Sequence, residues 1–119
     1  MRIGILLAAL MLSSGFAFAA DVDPMAGLYG NTILAKNAAG TESHLSYNAD
    51  HSFTVSVPAY NYTNKGTWTL QGDQICRTYE QPVPNKPNPD CGPSLAQLRV
   101  GQSVDNPAGG TITLVEGVQ

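Results

Sequence analysis

Positive charge is scarce in this chain and never clustered. Six Lys and Arg stand against nine Asp and Glu in 119 residues, and charged residues make up 13% of the total. Nucleic-acid binding is not expected, because it needs grouped cations to displace counterions from phosphates. The same scatter leaves no basic amphipathic helix for a membrane surface. Histidine and cysteine occur only twice each, and no third His is there to complete a site around His44 and His51. No window of helical length carries an apolar stripe of period 3.6. Ser, His and Asp are all present, but without a nucleophile elbow or any other diagnostic catalytic frame. The expected protein is therefore not an enzyme and carries no cofactor.

What is present begins with an export signal. Met1 and Arg2 supply a small positive end, Ile3 to Leu12 an apolar run, and Ala17-Phe18-Ala19 the small residues that signal peptidases accept. A run near ten residues is too short to cross roughly 30 Å of hydrocarbon. Residues 1–19 are thus expected to be a cleaved signal peptide, with cleavage after Ala19 or Ala20. Residues 20–119 are expected to form one β-barrel-like domain, periplasmic or secreted, with no membrane span once the signal is removed. All nine acidic residues lie beyond the signal with Lys36, Lys65, Arg77, Lys86 and Arg99, so five cations face nine anions and the net charge there is −4.

Export places Cys76 and Cys91 in an oxidising compartment, where an even pair in a small domain is most simply one disulfide. A redox pair would usually hold its cysteines two residues apart, and a metal site would need further ligands, although no His lies between them. Closing a loop of this length contributes roughly 3 kcal/mol in the chain-entropy model. Inside the loop, over residues 77–90 and on to Pro93, fall five of the eight prolines. Proline fixes φ and lacks an amide donor, which excludes a helix or central strand and predicts a stiff, extended surface loop. Such a segment either serves as a rigid connection or presents Pro84 and Pro87 to a partner's cleft at low entropic cost.

Elsewhere apolar residues alternate with period two. Strands are expected over Leu28 to Leu34, Ser43 to Tyr47, Ser52 to Val57, Gly66 to Leu70, Gln74 to Tyr79 and Thr111 to Val115, with a short helical turn or strand over Ser94 to Val100. The fold expected is all-β: an antiparallel meander of about six to eight short strands forming a small barrel or half-barrel, which also limits exposed edges.

The order Gly30-Asn31-Thr32, Tyr47-Asn48-Ala49-Asp50 leading to Phe53, Gly66-Thr67-Trp68 and Gly72-Asp73-Gln74-Ile75-Cys76 resembles a group of small exported bacterial β-proteins. Their pattern is G-N-T, an A-D-G turn, G-x-W and G-D-x-x-C. The resemblance covers roughly Gly30 to Cys76 and implies a lipocalin-like half-barrel and an exported location rather than an activity. His51 stands where that turn usually has Gly, which suggests a turn without positive φ at this position.

Candidate binding residues are few. Tyr60 and Tyr62 flank Asn61 in an expected loop, where tyrosines offer a large apolar face and a hydroxyl for recognition. The alternative is that one of them plugs the barrel end. Trp68 is expected in the core or lining a ligand cavity. His44 and His51, with Glu42 and Asp50 nearby, are the weak metal candidates; no third His supports them. The function expected is a non-enzymatic binding module for a small molecule or peptide. The alternatives are an inhibitor or protein-interaction domain acting through the 77–90 loop, and a structural envelope protein with no discrete site.

Overall fold

The protein is described by a computed structural model over residues 23–119; the expected signal peptide and its cleavage point lie outside the described residues. Eight antiparallel strands form one sheet: β1 (Thr32–Lys36), β2 (Glu42–Tyr47), β3 (Ser52–Val57), β4 (Tyr62–Gln71), β5 (Gln74–Tyr79), β6 (Asp90–Pro93), β7 (Ser103–Asp105) and β8 (Thr111–Val115). Their spatial order is β6-β5-β4-β3-β2-β1-β8-β7. The two terminal strands of that order do not pair with each other, so the sheet curls into a half-barrel.

Alternation along the strands decides which side chains fill the curl. Tyr47 pairs with Phe53 and Leu45 with Val55, and Phe53 stands opposite Gly66. A Cβ on Gly66 would collide with the Thr78 carbonyl oxygen and touch the Phe53 ring at 3.0 Å. Only glycine lets β4 and β5 close here, and the Phe53 and Tyr79 rings meet edge to face at 5.2 Å. The disulfide expected between Cys76 and Cys91 is present. It joins two residues directly opposite each other on β5 and β6. Proline-bearing β6 lies at the sheet edge, where a missing amide donor is tolerated.

The half-barrel is packed at one end. Tyr47, Phe53, Trp68, Ile33, Ile75 and Leu114 come from strands; Met25, Leu28 and Leu98 come from segments outside the sheet. Each large apolar side chain so buried contributes roughly 1.5–3 kcal/mol. Leu98 belongs to the connection from β6 to β7, the two free edges. That connection is tied to one flank by Ser94 N–H donating to the Asp73 carbonyl (3.1 Å), and to the other by Gly101 N–H donating to the Leu114 carbonyl (2.8 Å). It therefore spans the gap that hydrogen bonding between strands leaves open.

Several local expectations are corrected. The first strand starts at Thr32 rather than Leu28, because Ala26–Leu28 is a 3₁₀ turn. Asp23 organises that turn, accepting from Met25 N–H at 2.9 Å and from the Tyr29 hydroxyl at 2.7 Å. The hydrogen bonds of Asp23 thus override the alternating pattern, and Leu28 enters the core from a turn. Tyr62 is the first residue of β4, not part of a loop, while Tyr60 ends a 3₁₀ turn over Pro58–Tyr60. Ser94 to Val100 forms neither a helix nor a strand but successive turns, with Leu95 at φ +60°. His51 adopts φ +70°, so the turn does require a left-handed residue there.

Candidate functional site

The end of the half-barrel away from Trp68 is not filled. Beside Ile33, the concave face opens into a cavity of about 400 Å³, walled by Leu45, Val55, Val57, Tyr79 and Leu95 among others. This size lies within the range of about 300–1,000 Å³ typical of small-molecule sites. Several of these side chains are only partly buried.

Two side chains of the proline loop, Val83 and Lys86, form part of the wall. The loop is held against β5 by Asn88, whose Oδ1 accepts from Tyr79 N–H (2.8 Å) while its Nδ2 donates to the Tyr79 carbonyl (3.2 Å). Pro84 and Pro87 are exposed and do not border the cavity. Their contribution to the site is the stiffness that sets where Val83 and Lys86 stand.

Arg77 lies where the packed core meets the cavity. On β5, Ile75, Arg77 and Tyr79 share one face; Ile75 is core and the other two line the cavity. Arg77 Nη1 donates to the Tyr47 hydroxyl at 3.3 Å, and Nη2 lies 3.5 Å from Asp90 Oδ2. Its Nε is buried and makes no hydrogen bond. Lys86 Nζ is 3.9 Å from the same Asp90 oxygen. Two cations thus share one carboxylate, leaving a local charge of +1. Burial opposes the guanidinium charge, but Tyr47, Tyr79 and Asp90 outweigh it, and the Arg77 pKa stays above its ordinary value. Burial raises the phenol pKa values of Tyr47 and Tyr79, so both remain neutral hydroxyls beside Arg77.

The residues singled out in the sequence are dispersed around this site. Tyr62 lines the cavity and is 37% exposed at its rim. Tyr60, 72% exposed, stands outside it. Trp68 does not border it: the ring is 2% exposed in the core, its Nε1 donating to the Asn48 carbonyl at 3.2 Å. His51 stacks on Trp68 at 4.1 Å with the ring planes 13° apart. His44 sits on β2 opposite Ser56, with Nε2 3.5 Å from Glu42 Oε1. The Tyr47–Phe53 pair next to the turn lies three positions from the His44 row, roughly 10 Å along the strand. The two histidines are therefore not brought together. Among the described residues no group of three or more His, Cys, Asp or Glu is placed to hold a metal.

No protein-family model, curated protein or solved structure matches this chain. The site thus rests on its own chemistry. A second hollow, about 480 Å³ and more polar, is lined by residues such as Ser46, Thr54, Ser56, Lys65 and Glu80. Its opposed charges and hydroxyls resemble any solvated sheet face. The smaller cavity is the better candidate because its apolar wall is costly to leave in water and its half-buried cation, Arg77, is only partly paired.

Arg77 was not among the candidates from sequence, although a signal was there. In Ile75-Cys76-Arg77-Thr78-Tyr79, the arginine has the parity of the two inward-facing apolar residues. A cation on an apolar face requires a reason.

Proposed function

We propose that this protein is an exported, non-enzymatic binding module that holds a small molecule or peptide in the concave cavity of a lipocalin-like half-barrel. The observation that carries this reading is the apolar cavity of about 400 Å³ beside Ile33, Leu45, Val55 and Val57. Neither histidine lines it, so the cavity has no imidazole base with which to activate a nucleophile. Export, to the periplasm or outside the cell, is supported by the Ile3 to Leu12 run with Ala17-Phe18-Ala19, and by the Cys76–Cys91 disulfide, a bond that persists in oxidising compartments. Among the described residues no helix is long and apolar enough to cross a membrane.

The test is titration of the purified protein with a neutral, environment-sensitive apolar dye such as Nile red. Saturable one-site binding is expected. Val57→Trp and Val55→Trp, which fill the cavity, should weaken it at least about tenfold, the equivalent of 1.4 kcal/mol, while the circular dichroism stays native. Absence of saturable binding by the wild type, or undiminished binding by folded variants of both kinds, would overturn the reading.

A further inference from the structure

The apolar wall of the cavity is interrupted by the guanidinium of Arg77. Arginine carries five N–H donors. In this protein one goes to the Tyr47 hydroxyl, one approaches Asp90 at 3.5 Å, and Nε has no partner. The side chain is 20% exposed, and it lines the cavity together with aliphatic residues. A partly paired guanidinium among apolar neighbours is costly to desolvate unless compensated, and a buried donor without an acceptor requires an explanation.

From this juxtaposition we infer that the ligand is an amphipathic molecule with a carboxylate head, its apolar tail against Leu45, Val55 and Val57 and its head accepting hydrogen bonds from Arg77. The inference rests on the cavity being a binding site and specifies what that site takes.

Three features argue for a carboxylate. The planar guanidinium fork matches the two oxygens of a carboxylate. The local charge of Arg77, Lys86 and Asp90 is +1, which balances a singly charged head but not a dianion. The nearby phenols of Tyr47 and Tyr79 stay protonated and therefore repel no anion. Asp90, already drawn to both cations, disfavours a second charge beyond that one. The rest of the described chain is acidic, so long-range attraction of anions does not explain the preference; it must arise locally at Arg77.

The experiment compares decanoate, decanol and decyl phosphate, each displacing the neutral dye from the protein purified after export. Decanoate should bind at least about tenfold tighter than decanol, since hydrogen bonds to a charged group are worth that factor or more. Arg77→Met should abolish the difference while retaining decanol binding, and Arg77→Lys should keep part of it. Should Arg77→Met fail to fold, the wild-type protein still decides. Decanoate must then shift the Arg77 Nε–H resonance, and decanol must not. Equal binding of decanoate and decanol, or tighter binding of decyl phosphate, overturns the carboxylate assignment and leaves the apolar site standing. Failure of both the dye and decanol to bind removes the site itself.

Discussion

His51 illustrates how one residue can be costly in backbone terms and useful in side-chain terms. Its φ of +70° places it in the left-handed region, which costs a non-glycine residue roughly 1–2 kcal/mol. The ring then lies flat on Trp68 at 4.1 Å, recovering about 0.5–1.5 kcal/mol of aromatic contact. Its carbonyl also accepts from Trp68 N–H at 2.8 Å, so the turn and the core tryptophan are fixed together. His51→Gly should therefore leave the thermal midpoint near wild type, because relief of backbone strain offsets the lost stack. His51→Ala loses the stack and keeps the strain, and should be less stable than the glycine variant by about 1 kcal/mol. An alanine variant as stable as the glycine variant in a denaturant titration would contradict this account. The turn itself was legible from Asn48-Ala49-Asp50, where Asp50 Oδ1 accepts from Ser52 N–H at 3.0 Å. The left-handed φ was not, because histidine is a weak signal for it and the compensating ring comes from a residue 17 positions away.

At the scale of elements, the β5–β6 pair and the loop between them carry both stability and the site. Cys76 and Cys91 are 15 residues apart, and the loop they close supplies Val83 and Lys86 to the cavity wall. Replacing both cysteines by Ala should cost about 3 kcal/mol of unfolding free energy, measured by urea denaturation. The Asn88 contacts to Tyr79 remain in that variant, so the native fold should persist at room temperature with a lower midpoint. An unchanged midpoint would show that the staple restrains nothing. Proline spacing made the loop legible as a rigid, non-helical segment. Its second role as a cavity wall was hidden, since that depends on the Asn88 side chain pairing with both Tyr79 backbone groups and folding the loop inward rather than outward.

For the molecule as a whole, the tyrosines connect packing to pH. Tyr29 has its pKa pushed up to about 12 by burial and by its hydrogen bond to Asp23, and burial raises those of Tyr47 and Tyr79. A raised folded-state pKa means that the neutral phenol is the form the fold favours. For Tyr29 the associated stability is complete below the unfolded value near 10 and is lost as pH rises through about 12; the raised values of Tyr47 and Tyr79 act in the same direction. The thermal midpoint should accordingly fall steadily over that interval, with tyrosinate absorbance developing as the fold opens. Full ionisation of Tyr29, Tyr47 and Tyr79 in a still-native protein at pH 10 would refute the assignment. The sequence by itself determined the all-β class, the cysteine pair and the stiff loop, because period-two alternation, cysteine count and proline content are properties of the local chain. Tertiary structure decided what occupies each end of the half-barrel. The 3₁₀ turn carrying Leu28 and the edge-spanning connection carrying Leu98 fill the end around Trp68. At the other end the inward-folded loop supplies Val83 and Lys86 to the wall, and Arg77 lines an apolar cavity. That asymmetry arises from side chains dozens of residues apart meeting across the curl, which strand patterns alone do not encode.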